Sequence, residues 1–262
     1  MPPHVTPARL DRPQRILITG ASSGIGAALA SAYAETGISL VLGGRDPGRL
    51  AAIDNSCRAR GAEIEREAID VVDADAMRRW VEAAVDLAPL DLVIANAGIS
   101  AGTGTDGESQ AQTRAIFATN IDGVVNTVWP ALLRMERRGR GQIALMSSLA
   151  AFRGFPGAPA YCASKAAIRV WGEGLRGEYG AKGVAINVIC PGYVESPMTE
   201  VNDFPMPFLM SAERAARIVK RGLARNRARI AFPFPMYLVA WLLGVLTPGL
   251  TDPLLRRLPK KA

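Results

Sequence analysis

A single histidine, His4, stands in the 262-residue chain, and it lies in a proline-rich N-terminal stretch. The body of the protein therefore has no material for a His-dependent nucleophilic triad or a His-rich metal centre. Cysteine is nearly as scarce. Cys57, Cys162 and Cys190 are an odd number without metal-ligand spacing, which points to free buried thiols in a reducing cytoplasm. Met1 to Gln14 has no apolar core, so it reads as a loose tail rather than a secretory leader. Long apolar runs are also missing. The greasiest stretch, Ile230 to Leu250, has a proline-free portion of twelve residues, Met236 to Thr247, and as a helix this spans about 18 Å against a hydrocarbon core of about 30 Å.

Acidic side chains are absent from residues 214 to 229, which carry Arg214, Arg217, Lys220, Arg221, Arg225, Arg227 and Arg229. Arg256, Arg257, Lys260 and Lys261 close the chain, and the net charge is +7. The cations are not interleaved with aromatics as in a nucleic-acid reader module, so no nucleic-acid partner is expected. Ser211 can cap a helix that gathers Arg214, Arg217, Arg221 and Arg225 on one solvated side. The apolar segment between the two basic clusters can lie at a membrane surface, cover a subunit interface or close a substrate mouth; composition does not separate these.

What the chain does have is an alternation of short apolar strands and Ala-rich helical runs, with no linker, internal repeat or low-complexity tract. Strands are predicted near residues 15–19, 38–43, 63–69, 91–95, 142–146, 184–190 and 228–232, each followed by a helical stretch, the pattern of an α/β doubly wound parallel sheet of Rossmann type. A tail over 1–14, one domain over 15–232 and an extension over 233–262 describe the whole. Strand Arg15-Ile-Leu-Ile-Thr19 runs straight into Gly20-Ala-Ser22-Ser23-Gly24-Ile25-Gly26 and then into a helical run. Strand, glycine turn and helix in that order let backbone approach a pyrophosphate and place free helix N–H groups beneath it. Further on, Tyr161-Cys-Ala-Ser-Lys165 sets a phenol and an ammonium on one helix face. An adjacent cation favours the phenolate, so the pair is a candidate proton-transfer device.

With these motifs the chain resembles the short-chain dehydrogenase/reductase family over residues 14–232. The family's glycine motif stands as Thr19 to Gly26, its adenine-contacting Asp as Asp70 beside Val71, and its Asn-Ala-Gly motif as Asn96-Ala97-Gly98, with Ala95 where many members have a second Asn. Asn120 matches the helix Asn, Ser148 the catalytic Ser, Tyr161 follows it by the usual thirteen residues, and Pro191-Gly192 with Val194 completes the series.

The resemblance implies a nicotinamide cofactor and hydride transfer between a carbonyl and an alcohol. Tyr161 would exchange the proton, Ser148 hold the substrate oxygen, Lys165 lower the Tyr161 pKa and bond the ribose, and Asn120 hold a water of the relay; structural duties for Ser148 and Asn120 are the competing reading. Family spacing puts an NAD-selecting acid at Gly44, and Arg45 follows. That combination favours NADP over NAD, although Ser23 lacks the extra basic residue of some NADP users and Arg45 has Asp46 beside it as a pairing partner. Asp46-Pro47 opens the next helix as its cap. The variable lid after Gly192 carries Tyr193, Val194, Met198, Val201, Phe204, Met206, Phe208, Leu209 and Met210, which implies an apolar lipid-like, acyl, steroidal or xenobiotic substrate; Phe152 and Phe155 extend that wall or simply pack. A homodimer or homotetramer is implied, with helices starting near 113 and 158 as interfaces. A non-catalytic nucleotide-sensing or membrane-docked scaffold and an epimerase or dehydratase are the alternatives.

Overall fold

The computed structural model describes residues 12–100 and 107–255. Strands β1 (Arg15–Thr19), β2 (Ser39–Gly44), β3 (Glu63–Ala68), β4 (Leu92–Ala95), β5 (Gly141–Met146), β6 (Val184–Pro191) and β7 (Arg229–Phe232) lie parallel in the order β3-β2-β1-β4-β5-β6-β7. Every predicted strand is present, its ends displaced by no more than one residue. The central runs are apolar on both faces because both are covered. Ile16 and Ile18 of β1 pack with α1 (Gly24–Tyr33), α2 (Pro47–Arg58) and α8 (Ala212–Ala224). Leu17 packs on the other face with α3 (Ala74–Leu87), α5 (Gly123–Arg138) and α6 (Pro159–Gly180).

The helix predicted near residue 113 is α4 (Gln110–Phe117), which passes through a π-helical turn, Ala118–Asp122, into α5. Asp46 caps α2 and, past the single turn α7 (Pro197–Glu200), Ser211 caps α8, each side chain accepting a first-turn amide, from Arg49 at 2.9 Å and Arg214 at 3.3 Å.

The C-terminal segment departs from expectation. Its helix, α9 (Phe234–Val245), starts two residues before Met236 and takes Pro235 into its first turn, where a missing N–H costs nothing. Pro248 then opens a further helix, α10 (Pro248–Leu255), for which the sequence reading assigned no element. No helix among the described residues is long and apolar enough to cross a membrane. Of the 1–14 tail only Arg12 to Gln14 are described, and Gln14 is already tied to Asp91 through its N–H at 2.9 Å. His4 and the cluster Arg256 to Lys261 lie outside the described residues.

Candidate active site

The chain turns away from β1 toward β2 and away from β4 toward β5, so a crevice opens at the carboxyl ends of β1 and β4, the place where such sheets bind ligands. Gly20 takes φ +66°, and a Cβ on it would meet the Ala97 backbone at 2.9 Å. One on Gly26 would run into the Gly20 carbonyl oxygen and the Asn96 amide. Both sites therefore require glycine. Asn96 does not point into open space: its Nδ2 donates to the Thr19 and Gly20 carbonyls at 3.0 and 3.2 Å, and its own N–H donates to the Thr19 hydroxyl at 3.1 Å. It clamps the loop to β4. Ser23 is the N-cap of α1 without a side-chain bond to the helix, Ser22 and Ile25 are half-buried, and the lid residue Ser196 reaches the space above Gly24.

The four proton-transfer candidates converge at the other end of this crevice. A Cβ at Gly98 would stand 3.1 Å from both Asn120 Oδ1 and Lys165 Nζ. Lys165 Nζ lies 5.7 Å from the Tyr161 ring centroid and donates to the Met146 carbonyl at 3.0 Å. Ser148 Oγ accepts the Ala150 N–H at 3.1 Å and donates to the Pro191 carbonyl at 3.5 Å, and it lies near enough to the Tyr161 hydroxyl to pull its pKa down. Burial pushes the phenol up to about 12, with Ser148 pulling the other way. Burial lowers the lysine to about 8. The expected depression of the Tyr161 pKa by Lys165 is thus not what this geometry yields, because loss of solvation outweighs a cation set beside the ring. Asn120 is buried and its amide is fully used: Oδ1 accepts the Ile99 N–H at 2.8 Å, while Nδ2 donates to the Ile99 carbonyl at 2.9 Å and the Ser164 hydroxyl at 3.0 Å. Its side chain fastens the strand-4 loop to α6.

At the end of β2, Arg45 is exposed and has no hydrogen bond or ion pair among the described residues. Asp46 pairs with Arg49 at 2.6 Å instead, so the pairing with Arg45 does not form. A Cβ at Gly44 would lie 3.2 Å from the Ser22 hydroxyl, which leaves little room for an acid. Asp70 is exposed and accepts the Val72 N–H at 3.1 Å, shaping the turn after β3; Val71 is buried under Gly123. Gly192 is packed against Pro233 and Met236, and Val194 is buried where the lid returns at Met210. Tyr193 and Phe204 meet edge to face at 6.2 Å.

Phe152 is committed to packing: it meets the Tyr237 ring at 5.5 Å and the Arg169 and Arg229 guanidinia at 4.9 and 5.3 Å. Arg229 also bonds Glu173 and the Tyr237 hydroxyl. Thus α9 docks on the turn that follows Ser148. Two residues with no motif to mark them hold the crevice in shape. Glu108 accepts the Ala160 N–H at 2.7 Å at the start of α6, a duty the N-cap residue Ala158 cannot perform. Asn126 donates to the Val71 carbonyl at 2.9 Å.

Comparison with known proteins agrees with this arrangement. A family model described as short chain dehydrogenase matches residues 14–204. An uncharacterized oxidoreductase of Myxococcus xanthus is 37% identical over 243 residues, 92% of this chain and 96% of that protein. Gluconate 5-dehydrogenase of Gluconobacter oxydans is 34% identical over 187 residues, 71% of this chain and 73% of its own length. In three dimensions the chain is similar to a short chain dehydrogenase from Mycobacterium paratuberculosis bound to NAD, with TM-score 0.75 and 26% identity over 86% of this chain and 96% of that one. Shared with the family model over residues 14–204 and with the Myxococcus protein over 96% of its length, this likeness makes the chain an oxidoreductase of the short-chain dehydrogenase/reductase family.

Proposed function

We propose that the protein uses NADP(H) to interconvert an apolar ketone and its secondary alcohol. The observation that carries this reading is the gathering of Ser148, the Lys165 ammonium and the open Gly98 position around the Tyr161 phenol. A phenol held near 12 is protonated at neutral pH, which suits donation to an incipient alkoxide. Ser148 would hold the carbonyl oxygen alongside it. When bound, the nicotinamide supplies or accepts the hydride. The glycine loop fits its pyrophosphate, because a side chain at Gly20 or Gly26 would occupy the cradle. Ser22, Ser23, Gly24 and Ile25 complete that loop, while Asp70, Val71, Asn96, Ala97 and Gly98 would flank the adenine and ribose. Pro191, Gly192 and Val194 would close the nicotinamide end, with Lys165 on the ribose.

The NAD held by the mycobacterial relative leaves the choice of dinucleotide to this chain's own residues. Arg45, exposed and without a protein partner among the described residues, suits a 2′-phosphate, and the crowded Gly44 offers no carboxylate to a ribose 2′-OH. The apolar lid residues Val201, Phe208 and Leu209, all exposed, support a substrate with apolar surface, at about 25 cal/mol per Å² buried. NADPH oxidation with ketones of rising chain length tests the reading. Rates should climb with length, and Tyr161→Phe should lose on the order of 10²-fold or more in turnover while still binding dinucleotide. Full activity in Tyr161→Phe would remove the assignment.

A further inference from the structure

Helix α9 has no charged residue, yet only Ala240 is buried in it; Phe234, Leu238, Trp241, Leu242 and Val245 are exposed, with Phe234 at 69% and Val245 at 63%. Leu250 of α10 adds another, at 72%. A helix apolar all round belongs in a core or against something else apolar. At twelve residues it is too short to span a bilayer, and the Phe152–Tyr237 and Arg153–Asp252 contacts, the latter at 2.7 Å, fix α9 and α10 to the domain as a surface-lying pair.

Charge decides between occupants. Asp252 is the only acidic side chain from residue 230 to 262, and Arg153 neutralises it. Arg256 and Arg257 follow the end of α10 directly, and Lys260 and Lys261 come soon after. The sequence thus joins the apolar pair of helices directly to a run of cations. A two-fold pairing with a second copy would bring a further set of the same cations to the contact and, apart from the neutralised Asp252, no acidic side chain from 230 to 262 to meet them. An apolar helix flanked by cations instead matches a layer that is greasy below and negative at its surface.

We infer that the outer face of α9 and α10 docks the protein on anionic lipid bilayers. Docking sets the root of the lid at the membrane, since Gly192 packs against Pro233 and Met236 at the start of α9. It does not depend on the substrate proposed above. Co-sedimentation of the full chain with vesicles of phosphatidylcholine alone and of phosphatidylcholine with phosphatidylserine tests it, at low and high salt, beside light scattering. Binding should require phosphatidylserine and weaken with salt. Replacing Arg256, Arg257, Lys260 and Lys261 together by Gln should reduce affinity on the order of 10²- to 10³-fold. Trp241→Glu should abolish it while far-UV circular dichroism and dinucleotide titration stay unchanged. Absence of binding, equal binding to both vesicles, or a stable dimer that Trp241→Glu dissolves would each overturn the inference.

Discussion

Replacing Lys165 with methionine should stabilise the protein at neutral pH while removing its turnover. Lys165 is 3% exposed, and its ammonium donates to the Met146 carbonyl at 3.0 Å and lies beside the Tyr161 ring. Burial lowers its pKa from the ordinary 10.5 to about 8, which at about 1.4 kcal/mol per pH unit is a cost of about 3 kcal/mol for keeping the charged form in the folded protein. Methionine has a similar unbranched shape and carries no charge, but it leaves the Met146 carbonyl without that donor, a loss of about 1 kcal/mol. The net gain is about 2 kcal/mol at pH 7, or roughly 5 °C in Tm for a chain of this size.

The sign of the pH dependence separates this account from simple repacking. Below about pH 8 the lysine is protonated in both the folded and unfolded chain, so the cost is present in full. Between about 8 and 10.5 the folded protein releases the proton while the unfolded chain keeps it, so the native protein gains stability as pH rises and the advantage of methionine fades. Other titrating groups are common to both proteins and cancel in the difference. Urea titrations of the two at equal concentration, at about pH 7 and about pH 10, measure it. A methionine variant less stable at pH 7, or an advantage that does not shrink with pH, would show that the ammonium is a net stabilising group and refute the reasoning.

The sheet was legible because a strand covered on both faces is mostly apolar, as β1, β4, β5 and β6 are, their buried polar residues being Arg15, Thr19, Gln142 and Asn187. Even the polar β3, Glu63–Ala68, was readable from its place in the alternation. The crevice was legible where function demands a residue type at a fixed spacing: glycines under a phosphate, a phenol and an amine on one helix face. What stayed hidden acts across the chain on backbone groups. Glu108 serves Ala160 from 52 residues away and Asn126 serves Val71 from 55, and no local period marks either. The same holds for Phe152, whose partners Arg169, Arg229 and Tyr237 come from three different elements. The direction of the Tyr161 shift depends on how much protein surrounds the hydroxyl, which a spacing of Tyr and Lys does not encode. The start of α10 was not assigned because two prolines, Pro248 and Pro253, interrupt its apolar run, although a proline is at home in a first helical turn.

Arg45→Ala should weaken NADPH binding while leaving NADH binding unchanged, as read by fluorescence titration; equal losses for both would take the arginine off the 2′-phosphate. Gly26→Ala should abolish dinucleotide binding and cost about 1–3 kcal/mol in urea, since the new methyl would meet the Gly20 carbonyl and the Asn96 amide; wild-type binding would mean that the loop moves aside freely. Glu108 gives the last test. Its Oε2 accepts the Ala160 N–H in the first turn of α6, one residue before Tyr161, and its buried Oε1 has no hydrogen bond among the described residues. Glu108→Ala should leave that N–H unpaired, cost about 1 kcal/mol and lower turnover by loosening the turn that carries the phenol. Glu108→Gln keeps an acceptor oxygen in the same place, so it should restore most of the stability and of kcat together. If glutamine fails as badly as alanine, the carboxylate acts through its charge and not by holding Ala160, and its role as a positioning residue falls.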